Sequence, residues 1–155
     1  MRSLIPILAL LTAAMAGTPA VAADLHRLWE ARCARCHGEA GDFARDGLGA
    51  QPDLPAFLTR HRGGLPEAEA RGIAAMLLAQ AGTPPLFRER CGLCHPKAAD
   101  LVRDTLVVRD GVLVGRYTGR RTDAFLAGHG RIDADERPFF VELLTRLAHE
   151  VGRAP

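Results

Sequence analysis

Phe139, Phe140, Leu143, Leu144, Leu147 and Val151 recur at helical spacing and form one apolar stripe. Residues three and four apart share a helix face, so the pattern predicts an amphipathic helix near the end of the chain. Ile73, Met76 and Leu77 make a shorter stripe of the same kind earlier on. Pro66-Glu67 precedes one stripe and Asp133-Ala134-Asp135-Glu136 precedes the other. Acidic residues and an early proline suit a helix N-terminus, where unpaired N–H groups carry partial positive charge. Between the two stripes the pattern changes. From Thr105 to Tyr117, β-branched residues stand on both sides of Asp110-Gly111. That dipeptide favours the two-residue turn that joins antiparallel strands, so a small β-hairpin is predicted here.

The polar and apolar positions also repeat. The decapeptide Leu28–His37 lies over Leu86–His95, with Cys33, Cys36 and His37 matching Cys91, Cys94 and His95. Further on, Ala56-Phe57-Leu58-Thr59-Arg60-His61 lies over Ala124-Phe125-Leu126-Ala127-Gly128-His129. Each copy therefore runs from an apolar helix through C-x-x-C-H and a connector to A-F-L-x-x-His, and then to a second apolar helix. Gly82-Thr83-Pro84-Pro85 divides the copies, because glycine ends a helix and two prolines block its continuation. The expected organisation is a leader over residues 1–22, a first unit over 23–82 and a second over 83–152.

The leader is read from Arg2, the apolar run Leu4–Ala16 and the small-residue site Ala20-Val21-Ala22. These are the parts of a secretory signal, which places the mature chain in a periplasm or its equivalent. The apolar run is shorter than the ~20 residues of a spanning helix, so no membrane span is expected after cleavage. Composition adds little more. The formal net charge of +2 and the absence of a dense basic run give no case for nucleic acid. Only 5% of residues are aromatic. Two units this small would have thin cores, and such units usually need a staple.

Cys33-Ala34-Arg35-Cys36-His37 and Cys91-Gly92-Leu93-Cys94-His95 supply the candidate staple. C-x-x-C-H is the pattern of c-type haem attachment. Two thiols one helical turn apart add to the two vinyl groups of one haem, and the following His ligates the iron. Four cysteines could instead bind zinc or close two disulfides, but neither explains a histidine directly after each pair. On these motifs the chain resembles diheme c-type cytochromes, built as a tandem of class-I-like modules. The resemblance implies a mainly α fold of two cytochrome c-like helical modules, with the small hairpin in the second. A helix would lead into each C-x-x-C-H, and a later helix would pack across it. It also implies two covalently bound haem c groups and electron transfer. A hairpin alone is marginal, so this one should lean on the second haem or on the other half.

The chain departs from that family at the distal ligand, which is usually a methionine. Met76 is the only methionine beyond the leader, lies inside an apolar helix and is read as core. His61 and His129 occupy equivalent places before the last helix of each copy, and imidazole suits iron. The expected metal ligands are therefore His37 and His61 in one half, His95 and His129 in the other. His26 and His149 have no repeat partner and are read as surface residues. Arg32, Arg35, Arg60, Arg90, Arg120 and Arg121 flank these motifs and are read either as partners for haem propionates or as a solvated, partner-docking face.

The expectation is an electron carrier rather than an enzyme, with no catalytic residue assigned. Its partners would be periplasmic dehydrogenases, reductases or oxidases. Two alternatives share the motifs. One is a subunit of a larger redox complex, docked through the hairpin. The other is a small peroxidase-like haem enzyme with a displaceable distal ligand.

Overall fold

A computed structural model describes residues 23–49, 51–62, 64–130 and 132–154. The leader lies outside the described residues. The chain is mainly helical, with one two-stranded antiparallel sheet. No helix among the described residues is long and apolar enough to cross a membrane.

The first half contains α1 (Leu25–Arg32), α2 (Ala34–His37), α3 (Ala40–Asp46), α4 (Leu54–Arg60) and α5 (Glu67–Ala81). Side chains cap two of these helices. Asp24 accepts from the Arg27 N–H at 3.0 Å, and Asp53 accepts from the Ala56 N–H at 3.0 Å. An acidic N-cap satisfies one of the four donors that a helix start leaves unpaired. These caps fix the starts of the helices that lead to Cys33 and to His61. Trp29, Leu54 and Leu58 pack with Ile73, Met76 and Leu77 in one buried cluster. Met76 is 1% exposed and serves as core, as its apolar helix suggested.

The second half contains α6 (Leu86–Cys91), α7 (Ala98–Thr105), β1 (Leu106–Arg109), β2 (Val112–Gly115), α8 (Thr122–Leu126) and α9 (Arg137–Glu150). Phe87, Val102, Leu126, Phe140, Leu143, Leu144, Leu147 and Val151 form a separate buried cluster. The predicted stripe on α9 thus faces inward, with only Phe139 half-buried. Asp133–Glu136 form a turn just before α9 rather than its first turn, and Pro138 sits in the first turn of the helix.

The hairpin has the expected register, with Arg109 opposite Val112 across Asp110-Gly111. Both turn residues have positive φ, 51° and 74°. Its apolar side packs on its own half. Val108, Leu113 and Val114 are buried, and Val108 and Leu113 belong to the α7–α9 core of the same half. The Val108 N–H also donates to the Arg153 carbonyl at 3.0 Å. The strands alternate, and their apolar side is spent on that core.

Charged groups join the halves. Arg103 of α7 donates to Asp24 at 2.6 Å, and Lys97 pairs with Glu30 at 2.8 Å. Arg146 donates to the Ala79 carbonyl and to Thr83 at 3.0 and 2.9 Å. His26 is not a surface residue. Its Nε2 lies 2.7 Å from Glu150, and its side chain is 13% exposed. Nothing local in the sequence distinguishes it, because its partner lies 124 residues away. His149 is exposed, as expected.

Candidate functional site

The two C-x-x-C-H segments fold alike. In the first, the Cys36 and His37 N–H groups donate to the Cys33 carbonyl, each at 3.1 Å. In the second, those of Cys94 and His95 donate to Cys91, at 3.1 and 2.8 Å. This tight turn puts both sulfurs and the imidazole at one helix end. All four cysteines are free, with Cys33 and Cys91 half-buried and Cys36 and Cys94 exposed. Burial pushes the Cys33 thiol up, and the Arg32 charge offsets only part of the shift. Burial also raises Cys91, and the Glu136 carboxylate adds to it. Both groups are therefore thiols near neutral pH.

The distal segments are alike too. His61 follows α4, and its ring lies 4.8 Å from Phe57. His129 follows α8, and its ring stacks on Phe125 at 4.5 Å. Phenylalanine four residues earlier, one helical turn back, orients each imidazole. Past His61 the chain reverses through Gly64 at φ 57°. A Cβ there would meet the Thr59 carbonyl oxygen at 2.6 Å, so only glycine fits.

These segments bring the predicted residues together in pairs. The His37 and His61 ring centroids are 5.8 Å apart, and those of His95 and His129 are 6.3 Å apart. Metal–imidazole bonds of about 2 Å, with each ring centre about 1.1 Å beyond its nitrogen, place two trans rings about 6.3 Å apart. Both gaps thus fit one iron held between two imidazoles. Phe57 and Phe125 remain 37% and 40% exposed beside them, apolar surface that a flat hydrophobic group would cover. Among the described residues, no cluster of three or more His, Cys, Asp or Glu is placed to hold a metal ion by itself. Two imidazoles suit a metal that brings its remaining ligands with it, as porphyrin iron does, better than they suit zinc.

The arginines divide. Arg32 donates to the Gly64 carbonyl at 3.2 Å, and its repeat equivalent Arg90 pairs with Glu136 at 2.7 Å. Each ties the helix that leads into a C-x-x-C-H turn to the chain beyond the second histidine of its pair. Arg121 pairs with Asp123 at 2.7 Å, and Arg120 lies over the Phe125 ring at 5.3 Å. Arg35 and Arg60 are exposed and make no ion pair among the described residues. Phe43 and Trp29 were not anticipated as site residues. Phe43 lies 4.6 Å from the His37 ring and 5.4 Å from Trp29, whose indole N–H donates to the Gly38 carbonyl at 2.9 Å. Among the described residues, His95 has no such aromatic neighbour apart from His129.

A cavity of about 170 Å³ lies elsewhere, at the seam between the halves, where His26, Gln80 and Arg146 help to line it. None of the four paired histidines borders it.

No known protein-family model matches the chain, and no curated protein or solved structure shows significant similarity to it. The internal repeat is therefore the informative comparison. Each copy builds a similar C-x-x-C-H turn, a phenylalanine–histidine contact and a pair of histidine rings about 6 Å apart.

Proposed function

We propose that this chain is an exported diheme c-type cytochrome that carries electrons between periplasmic redox proteins. The observation that supports it best is the duplicated pairing of His37 with His61 and of His95 with His129. Each pair includes the histidine of a C-x-x-C-H turn. Cys33 and Cys36 would hold one haem by thioether bonds, and Cys91 and Cys94 the other. When bound, haem supplies a one-electron ferric–ferrous couple.

The chain's own residues do the rest. With haem bound, His37 and His61 in one half and His95 and His129 in the other would hold the iron, which would leave no position open for oxygen or peroxide. Phe57 and Phe125 hold the distal rings in place before any cofactor arrives, which lowers the ordering cost of ligation. Arg32 and Arg90 fix the distance between the attachment helix and the distal segment. A closed iron favours outer-sphere electron transfer over catalysis. Two histidine ligands also set a lower potential than a histidine–methionine pair would.

The test is expression with a c-type maturation system, followed by mass and absorption measurements. Two covalent haems, retained after acid–acetone extraction, are expected. A colourless product, or one carrying a single haem, would refute the proposal.

A further inference from the structure

Resting on the two-haem reading, the geometry points to inequivalent irons: the site between His37 and His61 has the higher reduction potential and takes the first electron. The repeat makes the comparison direct. Arg35, Arg60 and Arg62 of the first half correspond to Leu93, Gly128 and Gly130 of the second. All three arginines are exposed and make no ion pair among the described residues. Arg32 also keeps its charge, because its partner is the Gly64 carbonyl and not a carboxylate.

In the second half more of the charge beside the histidine pair is paired or acidic. Its counterpart of Arg32, Arg90, is neutralised by Glu136 at 2.7 Å. Asp133 and Asp135 follow His129 and are exposed. Among the described residues the opposing cations here are Arg120 over Phe125, Arg121, which is paired with Asp123, and Arg137; Arg131 lies outside the described residues. The attachment cysteines sense the same contrast, with Arg32 acting on Cys33 and Glu136 on Cys91.

Solvent exposure works in the same direction. His61 is half-buried, and His37 is flanked by Phe43 and Trp29. His129 is exposed, and His95 lacks the aromatic shell. Reduction removes one unit of positive charge from the iron centre. Nearby arginines therefore favour the reduced form, while carboxylates and water favour the oxidised form. Both effects raise the first site relative to the second. One electron from an outside one-electron reductant converts one ferric iron to ferrous, and no bond or proton transfer accompanies it.

Potentiometric titration of the mature two-haem protein with dithionite, followed by absorbance, tests this. Two one-electron steps are expected, with the first site favoured at least tenfold, which is about 59 mV for a one-electron couple. The exposed-residue variant R35Q/R60Q should lower the upper step, by roughly two- to fivefold in its equilibrium constant, and leave the lower step in place. D133N/D135N should raise the lower step alone. Raising the salt should narrow the gap without closing it, because the aromatic shell is not screened. Coincident steps, or movement of the lower step in R35Q/R60Q, would overturn the inference while leaving the two-haem reading intact. Material with fewer than two haems would overturn both.

Discussion

Arg103 reaches from α7 to Asp24, the N-cap of α1, with Nε 2.6 Å from Oδ2 and Nη2 3.1 Å from Oδ1. The same guanidinium also binds Asp100. The contact couples the start of one half to the interior of the other. The Arg103 side chain is 6% exposed and that of Asp24 is 20% exposed, so the pair is largely shielded from water.

Asp24→Asn isolates the charge in this contact, because asparagine caps a helix about as well as aspartate. It leaves Asp100 as the counter-charge of Arg103. We expect a loss on the order of 1–2 kcal/mol in urea unfolding. Burial raises the Asp24 pKa, but the Arg103 hydrogen bond, the Arg27 N–H and nearby positive charge outweigh it. The carboxyl therefore titrates below its ordinary value of 3.8. A lowered folded pKa means that the contribution is complete above that ordinary value and fades as pH falls through the folded one. Wild type and Asp24→Asn should thus converge in stability toward low pH. Equal stability at pH 7 would contradict the role given to this pair.

The hairpin offers a second test. Gly111 sits at φ 74°, where an L side chain is strained by about 1–2 kcal/mol. Gly111→Val should lower the free energy of unfolding by that amount. The strands pack mainly on their own α7–α9 core, and β2 meets the chain before α8 at the end of the hairpin away from the turn, where the Gly115 N–H donates to the Arg120 carbonyl, so a substitution at the turn should leave the visible spectrum unchanged. A spectral change with no loss of stability would place the hairpin at a haem after all.

Much of this organisation is legible in the sequence. The C-x-x-C-H motifs, the A-F-L-x-x-His echo and the Asp-Gly turn are local patterns, and local patterns survive without knowledge of the fold. The α9 stripe is legible because six apolar positions share one helical period. What stayed hidden is long-range. Arg103 and Asp24 are 79 residues apart, and no spacing rule links them. His26 reads as a lone histidine until Glu150 stands beside it. Phe43 is a single aromatic residue in a connector, with no counterpart in the second copy to mark it. Arg32 and Arg90 were visible as flanking charges, but their roles as clamps depend on backbone and carboxylate partners brought by folding.

Removing one distal ligand should open one iron and leave the other closed. His129→Ala is expected to give about half high-spin haem and to bind one carbon monoxide per protein when reduced. His61→Ala should do the same at the other site. The wild-type protein should bind none under native conditions, because both axial directions are filled. Prompt binding by the wild type would favour a displaceable ligand and a catalytic role.

The central claim, two irons each held between two imidazoles, is tested most directly by combined electron paramagnetic resonance and near-infrared spectroscopy of the oxidised mature protein. The account predicts two low-spin signals with bis-histidine ligation. A methionine-to-iron charge-transfer band, a high-spin site in the unmodified protein or the absence of iron would contradict it.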